Sequence, residues 1–558
     1  MRLWVNCFLA ILSISFLAAA PANDVSIPSV GESIDVSIVN VDVVVTDKSG
    51  KRVRGLTRAD FEVLQDGKAQ PISNFAEYGS EAGDATASIT TAEQPRVSAA
   101  PHQQRTMVVF VDRFTLRPFD REPLFASVRK MLHEIVRPGD AVMIVSWRNR
   151  VVTRMPFTDD LAQIDRTLAQ IERESTFASP DAMQSIEDER AWLKQVSAFA
   201  EEQGFTIDLS EEIPVSGLEA AMRARIEMRD KVRTINALMS AMSGLEGKKV
   251  LMLMTHRFSR IVGQEFLIGR DAGPHPRNKH ELEHDMLPEI QSVVKTANAN
   301  GVTIYPFYPE GLGNENMPNS AHTNGATGSF DLMVLNNELE AMSIVAEQTG
   351  GVLGWGSKNI VSVLPAVTDD FGTYYSLAYR ASGTGDEKAR NLVVRVKDRS
   401  LKVRARRSFV EKSNETKMKD RVLASLMHDP DPRAIDFDVT FGKPTREAKH
   451  RYRLPVLVKV PMGQLMTLPQ LGEQTGGFSV YVGWGGVLGE LSDVRHETRS
   501  FTLERGQEGR TMHLTYEFEL LMDEKTDRVA VGVVDEVTGE FGVRRIDLPT
   551  RTEMLAEK

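Results

Sequence analysis

A chain of 558 residues, 41% apolar and 26% charged, has room for about three globular domains and is neither a repeat array nor a disordered tail. Its formal charge of −10 excludes a general nucleic-acid surface, which needs a basic stripe to neutralise phosphates. The short run from Lys402 to Arg407 alternates basic and apolar residues and reads as a solvated strand face.

At the start of the chain, Arg2 leads into an apolar stretch from Leu3 to Ala19, followed by Ala20-Pro21-Ala22. That is the layout of a secretory signal peptide over residues 1–22. The stretch is at the short limit for a membrane span and a small-residue cleavage site follows it, so cleavage is expected before Asn23, with no membrane span afterwards. Cys7, the only cysteine, falls inside this leader; a mature chain without cysteine suits an oxidising compartment and excludes disulfides, thiol catalysis and cysteine-zinc sites.

Residues 30–79 alternate at period two, most plainly in Val39, Val41, Val43 and Val45, with turns at Asp47-Lys48-Ser49-Gly50 and Asp66-Gly67. They are expected to form a small β-domain. Residues 80–105 are rich in Ala, Thr, Ser, Gln and Pro, cannot bury a core, and read as a linker. From 106 to 371 apolar strands alternate with amphipathic helices, the pattern of a mostly parallel sheet covered on both faces. The strand candidates are Met107 to Asp112, Ala141 to Trp147, Val151 to Phe157, Lys249 to Thr255, Val302 to Tyr308 and Gly351 to Trp355. Only Arg148-Asn149-Arg150 separates the second from the third, too short for a crossover, so these two form a hairpin.

Within this domain residues 176–243 read as a helical insertion. One helix follows Ser179-Pro180, and a second starts at the capping box Ser216-x-x-Glu219 and presents Leu218, Met222, Ile226, Val232, Ile235 and Met239. Residues 372–412 read as a β-meander, 413–433 as a charged linker, and 434–558 as a β-sandwich-like domain with strands at Arg453 to Val460, Phe478 to Trp484, His513 to Leu521 and Arg528 to Val534.

Three separated stretches resemble one family. They are Val41 to Asp47 with Gly55-Leu56-Thr57, Asp60-Phe61 and Asp66-Gly67; Val109-Phe110-Val111-Asp112 with Arg137-Pro138-Gly139-Asp140; and Thr349-Gly350-Gly351 with Tyr374 to Tyr379. Together, over residues 35 to 410, they resemble the von Willebrand factor type A-related proteins frequent in Acidobacteria. The resemblance implies a von Willebrand factor A-like, doubly wound, mostly parallel α/β fold in an exported protein of binding type. The expected architecture is therefore that α/β domain flanked by N-terminal and C-terminal all-β domains.

Many domains of this fold hold Mg²⁺ on a D-x-S-x-S turn after the first strand, completed by a partner carboxylate. Here the turn is Asp112-Arg113-Phe114-Thr115-Leu116, and after the fourth strand stands Thr255-His256. The serines and the second carboxylate are replaced, leaving Asp112, Thr115 and Thr176 as a poor oxygen cage, so no standard metal site and no cofactor are expected. His280-Glu281-Leu282-Glu283-His284 satisfies H-E-x-x-H and offers a zinc hydrolase as the alternative; its polar approach and nearby Pro288 read instead as a charged, exposed helix start. Ser127-x-x-Lys130 lies in an amphipathic helix without companion motifs and reads as coincidence.

The expected function is binding of another protein, without catalysis, through loops at the carboxyl ends of the parallel strands. The residues expected to carry it are Asp112, Arg113, Phe114, Thr115 and Arg117 after the first strand, and Thr255, His256, Arg257 and Phe258 after the fourth. A periplasmic or extracellular location follows from the leader.

Overall fold

The computed structural model describes residues 36–79, 105–112, 118–147, 151–174, 215–245, 247–264, 283–308, 326–355, 367–382, 385–427, 434–448, 451–470, 473–486, 491–503, 512–523 and 526–548. The expected leader and nearly all of the linker at 80–105 lie outside these residues, as does the helix expected after Ser179-Pro180.

Four strands come first: β1 (Val36–Thr46), β2 (Phe61–Gln65), β3 (Lys68–Gln70) and β4 (Ile72–Tyr78). Asp66 and Gly67, at φ 49° and 79°, form the two-residue loop between β2 and β3, the positive-φ pair that a tight hairpin demands. The chain then builds a six-stranded sheet from β5 (Arg105–Asp112), β6 (Ala141–Trp147), β7 (Val151–Thr158), β8 (Lys248–Met254), β9 (Val302–Tyr308) and β10 (Gly354–Trp355). Its order is β10-β9-β8-β5-β6-β7, with every pairing parallel except the β6–β7 hairpin.

Every residue of β5 and β6 is buried, as a strand covered on both faces must be. Helices α1 (Pro118–Ile135) and α2 (Leu161–Arg173) cover one face, setting Leu124, Val128, Ile164 and Leu168 against Met107, Val109 and Val111. Helices α3 (Val215–Ala241), α4 (Leu287–Asn300) and α5 (Ala326–Thr349) cover the other, with Val232, Ile235, Ile290 and Met342 against Val108, Phe110 and Leu251. In order of appearance the strands lie third, second, first, fourth, fifth, sixth, so the winding reverses between β5 and β8. Thr349-Gly350-Gly351 returns the chain from α5 to the sheet. Gly350 has φ 87°, and a Cβ on Gly351 would lie 1.9 Å from the Ile304 carbonyl oxygen of β9.

The next strands are β11 (Tyr374–Ser382), β12 (Ala389–Val396), β13 (Lys402–Arg404) and β14 (Ser408–Val410), and they correct the domain reading. β11 pairs with β1 from Val36↔Ser382 to Val43↔Tyr375, and β12 pairs with β2 from Phe61↔Val396 to Gln65↔Leu392. The segments read as a β-domain at 30–79 and a meander at 372–412 thus form two four-stranded sheets together, β13-β1-β11-β4 and β14-β12-β2-β3. Val41, Val43, Val63, Leu377, Tyr379 and Leu392 share one core between them. The alternating valines of β1 are flanked on both sides by strands from beyond the α/β segment, β11 and β13, so the ladders that hold β1 join residues more than 300 apart.

The expected linker at 413–433 contains α6 (Asn414–Met427). Met418, Val422 and Leu426, four residues apart, bury against Tyr481, Ala530 and Val543. After it come β15 (Asp438–Phe441), β16 (Thr445–Ala448), β17 (Arg451–Pro461), β18 (Leu468–Gln470), β19 (Glu473–Gly486), β20 (Arg495–Leu503), β21 (His513–Asp523), β22 (Thr526–Asp535) and β23 (Phe541–Asp547). β17, with β15, β16 and β21, faces the β19–β22–β23 sheet across a core of Val456, Val458, Val480, Val529 and Val531. Among the described residues no helix is long and apolar enough to cross a membrane.

Candidate functional site

The crevice between β5 and β8 is where a doubly wound sheet ordinarily binds ligands, because neighbouring connections leave it in opposite directions. Asp112 closes β5, and Thr255 and His256 follow β8 directly. Into this crevice α3 sends Lys231, whose side chain is fully buried. Its ammonium lies 2.6 Å from Asp112 Oδ2 and donates to Thr255 Oγ1 at 3.1 Å and to the His256 carbonyl at 2.9 Å. An ammonium has three N–H donors, and here each has an acceptor. The Thr255 hydroxyl passes its own hydrogen to Asp112 Oδ2 at 2.6 Å. The Trp147 ring at the end of β6 lies 5.1 Å from Lys231 Nζ, adding a cation–π contact on the third side.

A second ring of charge surrounds the cluster. Glu227, one helical turn before Lys231, has its carboxyl pushed up by burial, against the pull of Lys231 and Arg257. His256 is buried, with its ring edge-on to Tyr308 at 4.7 Å and its Nδ1 3.9 Å from Glu338 on α5. Glu338 accepts from the Arg257 backbone N–H at 3.2 Å.

The loop after β8 is fastened firmly. Asn337 on α5 forms a two-way clamp on Ile261, accepting its N–H at 2.8 Å and donating to its carbonyl at 2.7 Å. Arg260 pairs with Glu340, and its carbonyl accepts from Met286 N–H at 2.7 Å. Arg257, at φ 53°, stands in the left-handed region within this loop.

Several expectations are corrected here. Asp112, Thr255, His256 and Phe258, read as candidates for an exposed binding face, are all buried. Phe258 belongs to the core beneath its own loop, and Asp112 and Thr255 are occupied by Lys231. Of the β8 loop residues named from sequence, Arg257 keeps part of its surface in solvent. Arg113, Phe114, Thr115, Arg117 and Thr176 lie outside the described residues, as do His280 and Glu281 of the H-E-x-x-H run.

His284, expected on an exposed helix start, is buried with Nδ1 3.1 Å from the Val262 carbonyl. The cause is a short pairing of residues 260–262 with 284–286, through Ile261↔Asp285 and Val262 N–H to the His284 carbonyl. The Lys402 to Arg407 run is solvated only in part, with Lys402 and Arg407 exposed. Arg404 turns inward to Asp370 at 2.6 Å, and Arg406 donates to the Asn298 carbonyl at 2.7 Å.

Sequence reasoning missed Lys231. The apolar stripe read along α3 included Met222 and Ile226, which are 53% and 60% exposed, whereas the buried face runs through Met228, Val232, Ile235 and Met239. Lys231 falls on that second stripe, three residues after Met228 and four before Ile235, and this spacing was the available signal.

A magnesium ion asks for near-octahedral oxygen ligands with carboxylate charge. Among the described residues, the Asp112 carboxylate already accepts from an ammonium and a hydroxyl, with Glu227 4.0 Å from the same ammonium and His256 following Thr255.

No protein-family model and no curated protein matches the chain. Among solved structures, the chain is similar to the vWF domain of the type V pili tip protein Mfa5 from Porphyromonas gingivalis, at 10% identity over 48% of this chain and 95% of that one, with a TM-score of 0.25. An aerotolerance-related membrane protein from Bacteroides fragilis gives 11% identity, 48% and 98% coverage and a TM-score of 0.23. The pilus adhesin SpaC from Lactobacillus rhamnosus GG gives 7% identity, 90% and 58% coverage and a TM-score of 0.25. No residue role, ligand or activity is carried from them to this chain.

Proposed function

We propose that this is an exported, non-catalytic protein-binding module with a von Willebrand factor A-like α/β domain, in which a lysine stands where relatives of that fold place a metal ion. The observation that carries the reading is the Lys231 ammonium, fully buried and 2.6 Å from Asp112 at the winding reversal of the sheet. A fixed internal cation ties the ends of β5 and β8 to the middle of α3 in one arrangement. Among the described residues of this cluster the lysine amine has an acceptor for each of its three N–H groups, which suits a structural cation. The partner-facing surface is then the outer part of the loops, with Arg257 and the Arg113 to Arg117 segment as its charged elements.

The test uses the mature chain as bait against envelope proteins in EDTA and in Mg²⁺. The reading expects a partner captured equally in both, and lost from the Arg113→Ala, Arg257→Ala double variant while its melting temperature stays within a degree or two of the parent. Adding Mg²⁺ should leave the melting temperature of the parent unchanged, because an ion that bound the native state at 100 times its Kd would add about 2.7 kcal/mol. A magnesium-dependent rise in melting temperature that vanishes in Asp112→Ala would overturn the metal-free reading, and undiminished capture by the double variant would move the face elsewhere.

A further inference from the structure

At the opposite end of the sheet, the amino ends of β8 and β9 meet β1 and the β13–β14 segment around a cavity of about 610 Å³. That volume lies within the range of small-molecule sites, roughly 300–1,000 Å³. Its basic lining is Lys248, Lys249, Arg404, Arg406, Lys412 and Lys417, against only Asp42 and Glu411 as acids. Two of these cations have carboxylate partners behind the wall, Arg404 with Asp370 and Lys412 with Asp420.

Three others are satisfied by backbone carbonyls. Lys248 donates to the Asp370 carbonyl at 2.7 Å, Lys249 to the carbonyls of Ser243 and Leu245 at 3.3 and 3.0 Å, and Arg406 to those of Asn298 and Asn40 at 2.7 and 2.5 Å. A carbonyl dipole orients a cation without neutralising it, and a buried cation that lacks an opposite charge is costly to keep. The strain registers in the lysines: burial, with Lys412 and Arg406 close by, pushes Lys249 down to about 8, and burial also lowers Lys248. Asp42 acts on Lys248, Lys249 and Arg406 together, with Asp370 adding to it at Lys248 and Asp420 at Lys249.

We propose that this cleft is a binding site for a small polyanion, a molecule carrying two or more phosphate or carboxylate groups. Arg406, Lys249 and Lys417, all half-buried, supply its basic lining together with Lys248. Because β1, β13 and β14 belong to the paired β-unit and β8 and β9 to the α/β sheet, an anion here bridges the two and holds them together. The site is independent of the Lys231 cluster, which lies at the other end of β8.

The test is calorimetric titration of the whole mature chain, separately with inorganic pyrophosphate and with citrate, at low salt and in 0.5 M NaCl (about a 4 Å screening length). The expected result is saturable one-to-one binding tighter than about 1 mM that weakens in salt. Affinity should fall at least tenfold in the Lys249→Met, Arg406→Gln double variant and several-fold in Lys417→Gln, a single change at a half-buried lining residue that tests the site if the double variant does not fold. Binding of pyrophosphate alone assigns a phosphate ligand, and binding of citrate alone a carboxylate ligand. Heat from neither anion, or the same affinity in the parent and in every folded variant, would overturn the site.

Discussion

At the carboxyl end of the parallel sheet one ammonium, one carboxylate and one hydroxyl satisfy one another beneath the Trp147 ring, whereas at the amino end Lys248, Lys249 and Arg406 face a cavity with carbonyls as their partners. The same strand, β8, contributes to both ends: Thr255 follows its last residue, and Lys248 and Lys249 are its first two. The difference separates two uses of buried charge. A closed, neutral cluster fixes geometry and leaves nothing to recruit, while a surplus of one sign beside open volume is incomplete until an opposite charge arrives.

The largest effect that would break this comparison is at the closed end. Lys231→Met leaves Asp112 buried without its cation and should cost about 3–5 kcal/mol, read as a fall in the urea midpoint. Adding Asp112→Leu should recover most of that loss, since it removes the buried carboxylate that the lysine neutralises, and the Thr255 hydroxyl has a second acceptor in the His256 carbonyl at 3.0 Å. If the double variant is no better than the single, the lysine is not there to neutralise Asp112.

At the open end single losses should be milder. Asp370 accepts from Arg52, Arg404 and Tyr305 together, so Arg404→Met leaves it two partners. A loss of about 2 kcal/mol is expected, the size of one hydrogen bond to a charged group. A cost as large as that of Lys231→Met would mean that the two ends are built alike.

Much of this contrast was hidden in the sequence, and the reasons are specific. The strands of the central sheet were legible because Met107 to Val111, Ala141 to Val145 and Val250 to Met254 are continuous apolar runs, and the β6–β7 hairpin because three residues cannot make a crossover. The pairing of β1 with β11 was not, because its register joins Val36 to Ser382 and no local pattern reaches so far. Helix α6 was masked by its charge, although Met418, Val422 and Leu426 carried the helical period. Lys231 was not singled out, and Arg404 and Arg406 were read as solvated because basic residues usually are. Only the tertiary arrangement supplies Asp112, Asp370 and the Asn298 carbonyl that draw them in.

A smaller effect sharpens the comparison through pH. Lys249 has its ordinary value near 10.4 in the unfolded chain and about 8 in the folded one, because burial and the neighbouring Lys412 and Arg406 disfavour its charge. Between those values the unfolded chain binds more protons, so stability should rise as pH increases from 8 to about 9.5, by at most about 1.4 kcal/mol per unit. Near pH 10 the trend should reverse, since burial raises Tyr305 and Tyr374 and the folded state keeps protons that the unfolded state releases. Lys249→Met should flatten the rising limb in urea titrations taken at each pH. A rising limb that survives that substitution would assign the surplus charge to another group.

The smallest effect concerns Arg257, which links the closed cluster to the solvent above it. Its φ of 53° lies where a side chain is disfavoured, at a cost of about 1 kcal/mol, and its N–H is held by Glu338 while Asn337 clamps Ile261 four residues on. The loop is thus over-determined from α5, and the surrounding bonds keep the residue in its conformation. Two substitutions separate backbone from side chain. Arg257→Gly removes both the strain and the guanidinium, whereas Arg257→Ala removes the guanidinium and keeps the Cβ that makes the conformation costly. The glycine variant should therefore be more stable than the alanine variant by up to about 1 kcal/mol, less the extra freedom that glycine gives the unfolded chain. Both should lose partner capture to the same degree if the guanidinium is what the partner meets. Equal stability of the two would show that the loop relaxes without its strain, and capture retained by the alanine variant alone would show that the partner reads the backbone shape of the loop rather than the charge at its tip.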